Sequence, residues 1–523
     1  MSTTGAAFSL LPAQRCQHAT FLLPTHSSAH PPPHDRICTR GSRFSQSQFA
    51  LHSPHSLPEP QLPSNLGAFP ALKHLELHLL PLTDLPDSLC QLTSLKFFSL
   101  LYCQRIHQLP DEFSCLTALE TLYLGQSQVL MYPDDIGRLS NLKTLLLEGN
   151  CEAQRLLPSS LTQLSALTRL ELKHFQFTEL PEDIGMLSNL QHLHMCSCFH
   201  LTALPDSFSR LTALEILRID GCEQLSSIPR LDALTRLKRL ELIDDLNRRL
   251  AEPPASLPPS LEILTMPSYN QHAPCFDMPR MPHLRNLKLR NVGAGSSLAV
   301  AMGASRLRRL QLVPAGHAED LPSPFPVLPH LHTLLLLGSP NFFPYDYADL
   351  TRLPECIGSS VPRLRRLKVE QLSLTELPAS VCELQCLTSL EVIRCRLVCL
   401  PGGIGALTRL CKLDVSRCRA LQQLPASLTH LTCLQELDAS YTGILSLPSG
   451  FARLARLRRL SVNGCEHLEA LPHDVMELRM LRYLGARDCT HLLDSEDMVQ
   501  PRGVYSMYGL ELDDERTMYR RVA

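Results

Sequence analysis

The side chains best placed to do chemistry in this 523-residue chain are charged residues recurring at even offsets from leucines. Arg239, Lys288, Arg290, Arg309, Arg366 and Lys368, with Glu241 and Glu370 among them, stand two, four or six residues after Leu237, Leu284, Leu307 and Leu364. On a strand, even offsets point to one side, so these residues build a charged ladder. The ladder reads in two ways: as a solvated surface, or as a site for an acidic partner centred on Arg239, Lys288, Arg309, Arg366 and Lys368. Asp414, Glu436, Asp438 and Asp488, with Lys412, Arg459 and Arg487, extend it towards the C-terminus, and Arg169, Glu171, Lys173 and His174 precede it. His192, His194 and Cys196 alternate on one side and are metal-ligand types. Successive outward residues lie about 6–7 Å apart, a spacing that suits a metal only with long side-chain reach, so no metal is expected. Phe342, Phe343, Tyr345 and Tyr347 crowd one short segment of a chain that is only 5% aromatic. They read either as exposed anchors for a partner or as loop residues filling a local gap in the core.

Catalytic constellations are absent. The chain has no G-x-x-x-x-G-K-[ST] loop, no H-E-x-x-H, no G-x-S-x-G elbow and no kinase H-R-D/D-F-G pair. Gly293-Ala-Gly295 lacks a strand–helix context or a lysine, and reads as a loop. The expectation is a non-enzymatic protein without a cofactor.

The elements that must position the ladder come from leucine. From Leu72 to Leu484 a version of L-x-x-L-x-L returns at intervals of almost always 23 or 24 residues, about 18 times. A leucine period in the twenties predicts an α/β solenoid of leucine-rich repeats, with a parallel concave sheet and short convex helical or 3₁₀ segments. In Leu95-x-x-Phe98-x-Leu100 the alternation is that of a strand, whereas Leu89, Leu92 and Leu95 lie three apart and suit a 3₁₀ turn. Pro86 suits a first helical position, and Asp87 suits the positive end of that segment. Repeats of 24 tend to carry C-x-x-[LI] after the strand, at Cys103, Cys198, Cys418 and Cys465, Cys222 does so in a repeat of 23, and Asn150 holds the equivalent place once. Several repeats of 23 shorten it, as in Phe175-x-Phe177 and Thr442-x-Ile444. A buried side chain there must bridge loop backbones, which asparagine does well and a thiol weakly. The column is therefore structural, and its cysteines pack as small hydrophobes.

A net charge of −2 gives no bulk electrostatic case for nucleic acid or a membrane surface. Twenty cysteines follow the repeat positions without paired terminal clusters, there is no N-x-[ST] sequon, and no apolar run is long enough to span a bilayer. These features predict a soluble, cytoplasmic protein. Residues 1–60 are rich in Ser, Thr, Pro and His, with Arg15, Arg36, Arg40 and Arg43 and few acids. They read as a disordered leader or as a transit peptide to the chloroplast or another organelle. Regular repeats follow over 61–250 and 364–492, flanking an irregular stretch, 251–363, whose insertion at 338–353 carries the aromatics; 493–523 form a C-terminal cap or tail. Neither flank is long enough for a catalytic domain.

The repeat L-P-x-x-[IL]-x-x-L-x-x-L-x-x-L-x-L-x-x-C-x-x-L, as in LPEDIGMLSNLQHLHMCSCFHLTALP and LPGGIGALTRLCKLDVSRCRALQQLP, resembles two related intracellular groups. One is the Ras-group leucine-rich-repeat proteins, of Ras-suppressor and plant intracellular types. The other is the repeat domain of plant disease-resistance proteins, whose nucleotide-binding switch domain has no counterpart here. The resemblance implies a scaffold or recognition protein in intracellular signalling or defence. Its partner would be a protein: a small GTPase for a scaffold, or a separate nucleotide-switch receptor for a defence-related sensor; a third reading makes the chain the substrate-recognition subunit of a ubiquitin ligase.

Overall fold

Leucine alternating with polar residues folds as short strands, and the strands stack one repeat on the next. In the computed structural model, the described residues are 62–125, 129, 132–149, 157–243, 256–266, 281–292, 304, 306–314, 321, 325–338 and 350–494, with 18–22, 510–512 and 519–521. Two units, Met1–Leu237 and Lys238–Ala523, divide the chain. In the first, strands β1 (His18–Leu22), β2 (His74–His78), β3 (Phe97–Leu101), β4 (Thr121–Gly125), β5 (Thr144–Glu148), β6 (Arg169–Lys173), β7 (His192–Cys196) and β8 (Ile216–Asp220) run parallel in sequence order. In the second, β9 (Arg239–Ile243), β10 (Ile263–Met266), β11 (Asn286–Val292), β12 (Arg309–Pro314), β13 (Thr333–Leu337), β14 (Arg366–Glu370), β15 (Ser389–Ile393), β16 (Lys412–Asp414), β17 (Glu436–Asp438), β18 (Arg459–Ser461) and β19 (Tyr483–Gly485) do the same. Among the described residues the register slips once, at a bulge between Arg290 and Val292. Two C-terminal strands, β20 (Leu510–Leu512) and β21 (Tyr519–Arg521), pair antiparallel, and β21 pairs with β19. That pairing occupies an edge which would otherwise present unpaired backbone groups.

Every inward strand position in the regular repeats is buried. Leu75, Phe98, Leu122, Leu145, Leu170, Leu193 and Leu217 form one inward row of the first unit, and Leu367, Leu390, Leu413, Leu437 and Leu460 form its equivalent in the second. Each such side chain contributes roughly 1.5–3 kcal/mol by leaving water. The opposite wall is made of 3₁₀ segments such as Asp87–Gln91, Ile184–Met186 and Ala426–His430. Pro86 stands one place earlier than the sequence suggests: it is the extended residue before the segment, and its carbonyl accepts the Leu89 N–H at 2.9 Å.

Leaving the strand demands a left-handed residue. Leu79, Tyr102, His174, Ser197, Gln371, Arg394, Arg417, Tyr441 and Asp488 all have φ between 52 and 62°, and Gly221 and Gly464 hold the same place in their repeats. The backbone N–H groups of most of them reach sideways to the next repeat, as in Tyr102 N to Gly125 O (3.0 Å), Arg394 N to Ser416 O (3.0 Å) and Arg417 N to Ser440 O (2.7 Å). The residue that follows is thereby turned inward, and this residue is the cysteine column. Cys103 Sγ donates to Leu77 O at 3.6 Å, Cys418 to Val392 O at 3.2 Å, Cys465 to Ala439 O at 3.1 Å and Cys489 to Val462 O at 3.1 Å. Where Thr442 replaces cysteine, its hydroxyl makes a bond of 2.7 Å to Ala439 O. Repeats of 24 add one residue here and close a turn, as in Leu421 N to Cys418 O at 3.1 Å. Asn150 lies outside the described residues.

Glycines in the 3₁₀ wall let neighbouring repeats approach. A Cβ at Gly185 would overlap the Ser207 carbonyl oxygen, and one at Gly405 the Ser427 carbonyl oxygen, whereas a Cβ at Gly402 would meet nothing within 4 Å. Gly405→Ala is therefore expected to cost about 1–3 kcal/mol through overpacking. Gly402→Ala should be neutral or stabilise by up to about 1 kcal/mol. Equilibrium urea unfolding distinguishes the two, and equal midpoints would contradict the close approach.

Candidate interaction surface

The outward side chains of the second unit fall into registered rows. The first row runs Arg239, Ile263, Asn286, Arg309, Thr333, Arg366, Ser389, Lys412, Glu436, Arg459 and Tyr483. The second runs Glu241, Thr265, Lys288, Gln311, Leu335, Lys368, Glu391, Asp414, Asp438, Ser461 and Gly485. The five expected basic residues are thus split: Arg239, Arg309 and Arg366 share the first row, and Lys288 and Lys368 the second. Phe342, Phe343, Tyr345 and Tyr347 lie outside the described residues.

Charge pairing separates these residues further. Arg366 meets Glu391 at 2.9 Å, and Lys368 meets Glu370 at 2.7 Å. Both cations are therefore compensated within the fold. Arg239 and Arg309 are exposed and have no ion pair among the described residues. Lys288 is half-buried between Thr265 and Gln311.

Glu391 is the residue that sequence reasoning missed, although it sits at the same offset, four after Leu387. Its side chain is only 5% exposed and is held by Arg366, by the Ser389 hydroxyl at 2.9 Å and by Lys412 at 4.0 Å. Burial pushes its carboxyl upward, but Ser389, Lys412 and Arg366 outweigh that and hold it below its ordinary value. The neighbouring Asp414 behaves oppositely. Burial raises its carboxyl above the usual range, with Asp438 adding to the effect, even though Oδ1 accepts the Ser416 hydroxyl at 2.7 Å and the Ser416 N–H at 3.1 Å. Towards β19 the face becomes aromatic and cationic, with Arg417 4.9 Å from the Tyr441 ring and Arg459 4.0 Å from the Tyr483 ring. Asp488 is a left-handed exit residue rather than part of a strand.

The first unit presents a different surface. His74 stacks on Phe97 with centroids 4.1 Å apart, and Tyr123 meets Phe97 edge-on at 5.4 Å. These half-buried aromatics were not singled out from the sequence, though they too stand two or four residues after leucines. Glu171 is nearly buried between Arg169 and Lys173. Burial pushes its carboxyl upward, and the two cations outweigh it so that the net shift is down. His192, His194 and Cys196 occupy three different rows of β7. His174 leaves the ladder as an exit residue, its Nε2 3.7 Å from Glu148.

A family described as a leucine-rich repeat region matches residues 150–254. No curated protein sequence matches the chain significantly. Among solved structures, a chain of the TLR13–ssRNA13 complex superposes with a TM-score of 0.58 at 19% identity, over 80% of this chain and 61% of that one. A chain of the Toll–Spätzle complex of Drosophila gives 0.56 at 17% identity, over 77% and 55%. A leucine-rich-repeat protein of Leptospira interrogans is 21% identical over 76% of this chain and 92% of its own, with a TM-score of 0.45. The fold of this chain is that of the leucine-rich-repeat proteins, whose extended strand face typically serves as an interaction surface.

The opposite shifts at neighbouring carboxylates set opposite pH slopes. Glu391 titrates lower folded than unfolded, so its stabilisation is present above the ordinary glutamate value of about 4.3. It is lost as pH falls through the folded value. Glu391→Gln should be less stable near neutrality and lose less on acidification. Asp414 titrates higher folded than unfolded, so its contribution declines as pH rises above the ordinary aspartate value of about 3.9. Urea midpoints measured across acidic pH check both signs; an unchanged slope in Glu391→Gln would contradict the assignment.

Proposed function

We propose that this chain is a non-enzymatic recognition module that binds a partner protein on the strand face of its second unit, in intracellular signalling. The observation that carries the reading is the pair Arg239 and Arg309. They stand on one row, exposed and without an ion pair among the described residues, whereas Arg366 and Lys368 are satisfied within the fold. Three strand steps separate them, about 14 Å at the usual spacing. An acidic partner with carboxylates at that separation gains two charge-assisted contacts without displacing any internal pair. Lys288, half-buried in the second row, lies between them in the same patch. Sixteen described cysteines are free thiols, which suits the reducing interior of the cell. No helix among the described residues is long and apolar enough to cross a membrane.

Arg366 and Lys368 have a different part in this reading: Arg366 compensates the buried Glu391, and Lys368 pairs with Glu370 on its own strand. Proximity labelling with the full chain separates the roles. Arg239→Glu/Arg309→Glu is expected to lose the main labelled partner while keeping the wild-type unfolding midpoint. Arg366→Glu/Lys368→Glu is expected to lower the midpoint, because it leaves Glu391 buried against like charge. A partner set unchanged by the Arg239→Glu/Arg309→Glu variant would refute the basic site. A small GTPase among the lost partners would place the chain as a scaffold. A nucleotide-switch receptor would make it a sensing subunit.

A further inference from the structure

His194 and Cys196 are successive outward residues of β7, and Asp220 faces Cys196 from β8. One ring nitrogen of His194, the Cys196 Sγ and one Asp220 carboxylate oxygen lie within 4.8 Å of one another. His194 Nε2 is buried and has no hydrogen-bond partner among the described residues, a condition that costs free energy unless something else satisfies it. Asp220 Oδ2 accepts from the Arg218 guanidinium at 3.0 Å, while Oδ1 has no such partner among the described residues. Among the described residues Cys196 Sγ has only the Ser197 hydroxyl, at 3.6 Å.

We propose that His194, Cys196 and Asp220 form a binding site for a borderline divalent transition metal of the zinc type, held by one nitrogen, one sulfur and one oxygen. Metal–ligand lengths of about 2.0–2.3 Å place tetrahedral donors roughly 3.3–3.7 Å apart. The present separations therefore close by about 1 Å, within the reach of small side-chain rotations. Cys196 binds as thiolate, and its proton passes to solvent. The nearby cations are already engaged: Lys173 lies 3.2 Å from Glu171 Oε2, Arg169 also pairs with Glu171, and Arg218 pairs with Asp220. All three residues are partly exposed, and a water from solvent would complete the fourth position of the ion. Along β7 alone the third residue of ligand type is His192, and that set gives no expectation of a metal. The ladder replaces it with Asp220, because a cross-strand neighbour lies about 4.8 Å away, whereas His192 and Cys196 are four residues apart on one strand.

Cobalt(II) is the probe, titrated into the reduced full-length chain. One equivalent should give a thiolate-to-cobalt charge-transfer band with the ligand-field bands of a four-coordinate ion, and zinc(II) should displace it. Cys196→Ser should abolish the charge-transfer band while retaining the wild-type circular dichroism spectrum. His194→Gln and Asp220→Asn should each weaken binding by about 10-fold or more, and His192→Ala should bind as wild type. A wild-type chain without the band, a band that survives Cys196→Ser, or weakening by His192→Ala equal to that by Asp220→Asn would overturn the site.

Discussion

Everything outward in this fold depends on how the chain leaves each strand. A leucine-lined strand must turn through one residue, keep its N–H bonded to the neighbouring repeat and send the next side chain inward to cover carbonyls of the strand before. A left-handed residue does all three at once. Non-glycine residues resist that conformation by about 1–2 kcal/mol each, yet nine described positions adopt it. The lateral N–H bond and the inward thiol or hydroxyl offset that resistance. The bond from Cys418 to the Val392 carbonyl is weak in isolation but recurs from repeat to repeat, and the packing of the thiol adds to it. Because each exit leaves the strand at the same point, the strands stay in register, and outward side chains from different repeats line up in rows.

The rows then decide what the charges mean. Arg366, Lys412 and Ser389 belong to the first row and Glu391 to the second, so cross-strand neighbours satisfy a buried carboxylate that no single repeat could hold. Asp414 and Asp438 stand beside each other with no cation as close as the one Glu391 has, and burial raises the former. Arg239 and Arg309 lie where the row offers no carboxylate partner among the described residues. The same ladder that neutralises one group of cations leaves another available. In the first unit it brings a histidine, a cysteine and an aspartate from two repeats together.

Much of the fold was legible in the leucines. Their period set the class, and alternation in Leu95-x-x-Phe98-x-Leu100 placed the strand and its inward residues correctly. The structural role of Cys103, Cys418 and Cys465 was also readable, since a thiol after a strand in a leucine period has few other uses. The left-handed exits were not readable, because Arg394, Tyr441 and Leu79 share no side-chain feature; the constraint acts on the backbone. Pairing across the ladder was equally hidden. Listing outward residues along each strand found Arg366, Lys368 and Glu370 but could not show that Glu391 of the next repeat neutralises Arg366. It likewise grouped His192 with Cys196 rather than Asp220. Interactions between repeats need the register, and offsets within one repeat do not contain it.

The exit constraint is tested most directly at Arg394, which is exposed, has φ of 52° and donates its N–H to Ser416 O at 3.0 Å. Thermal unfolding of Arg394→Gly and Arg394→Val compares a residue that accepts the left-handed region with one that strongly resists it. The account predicts that Arg394→Gly unfolds at or above the wild-type midpoint and that Arg394→Val is destabilised by more than about 1 kcal/mol. Equal stability of the two variants would contradict it.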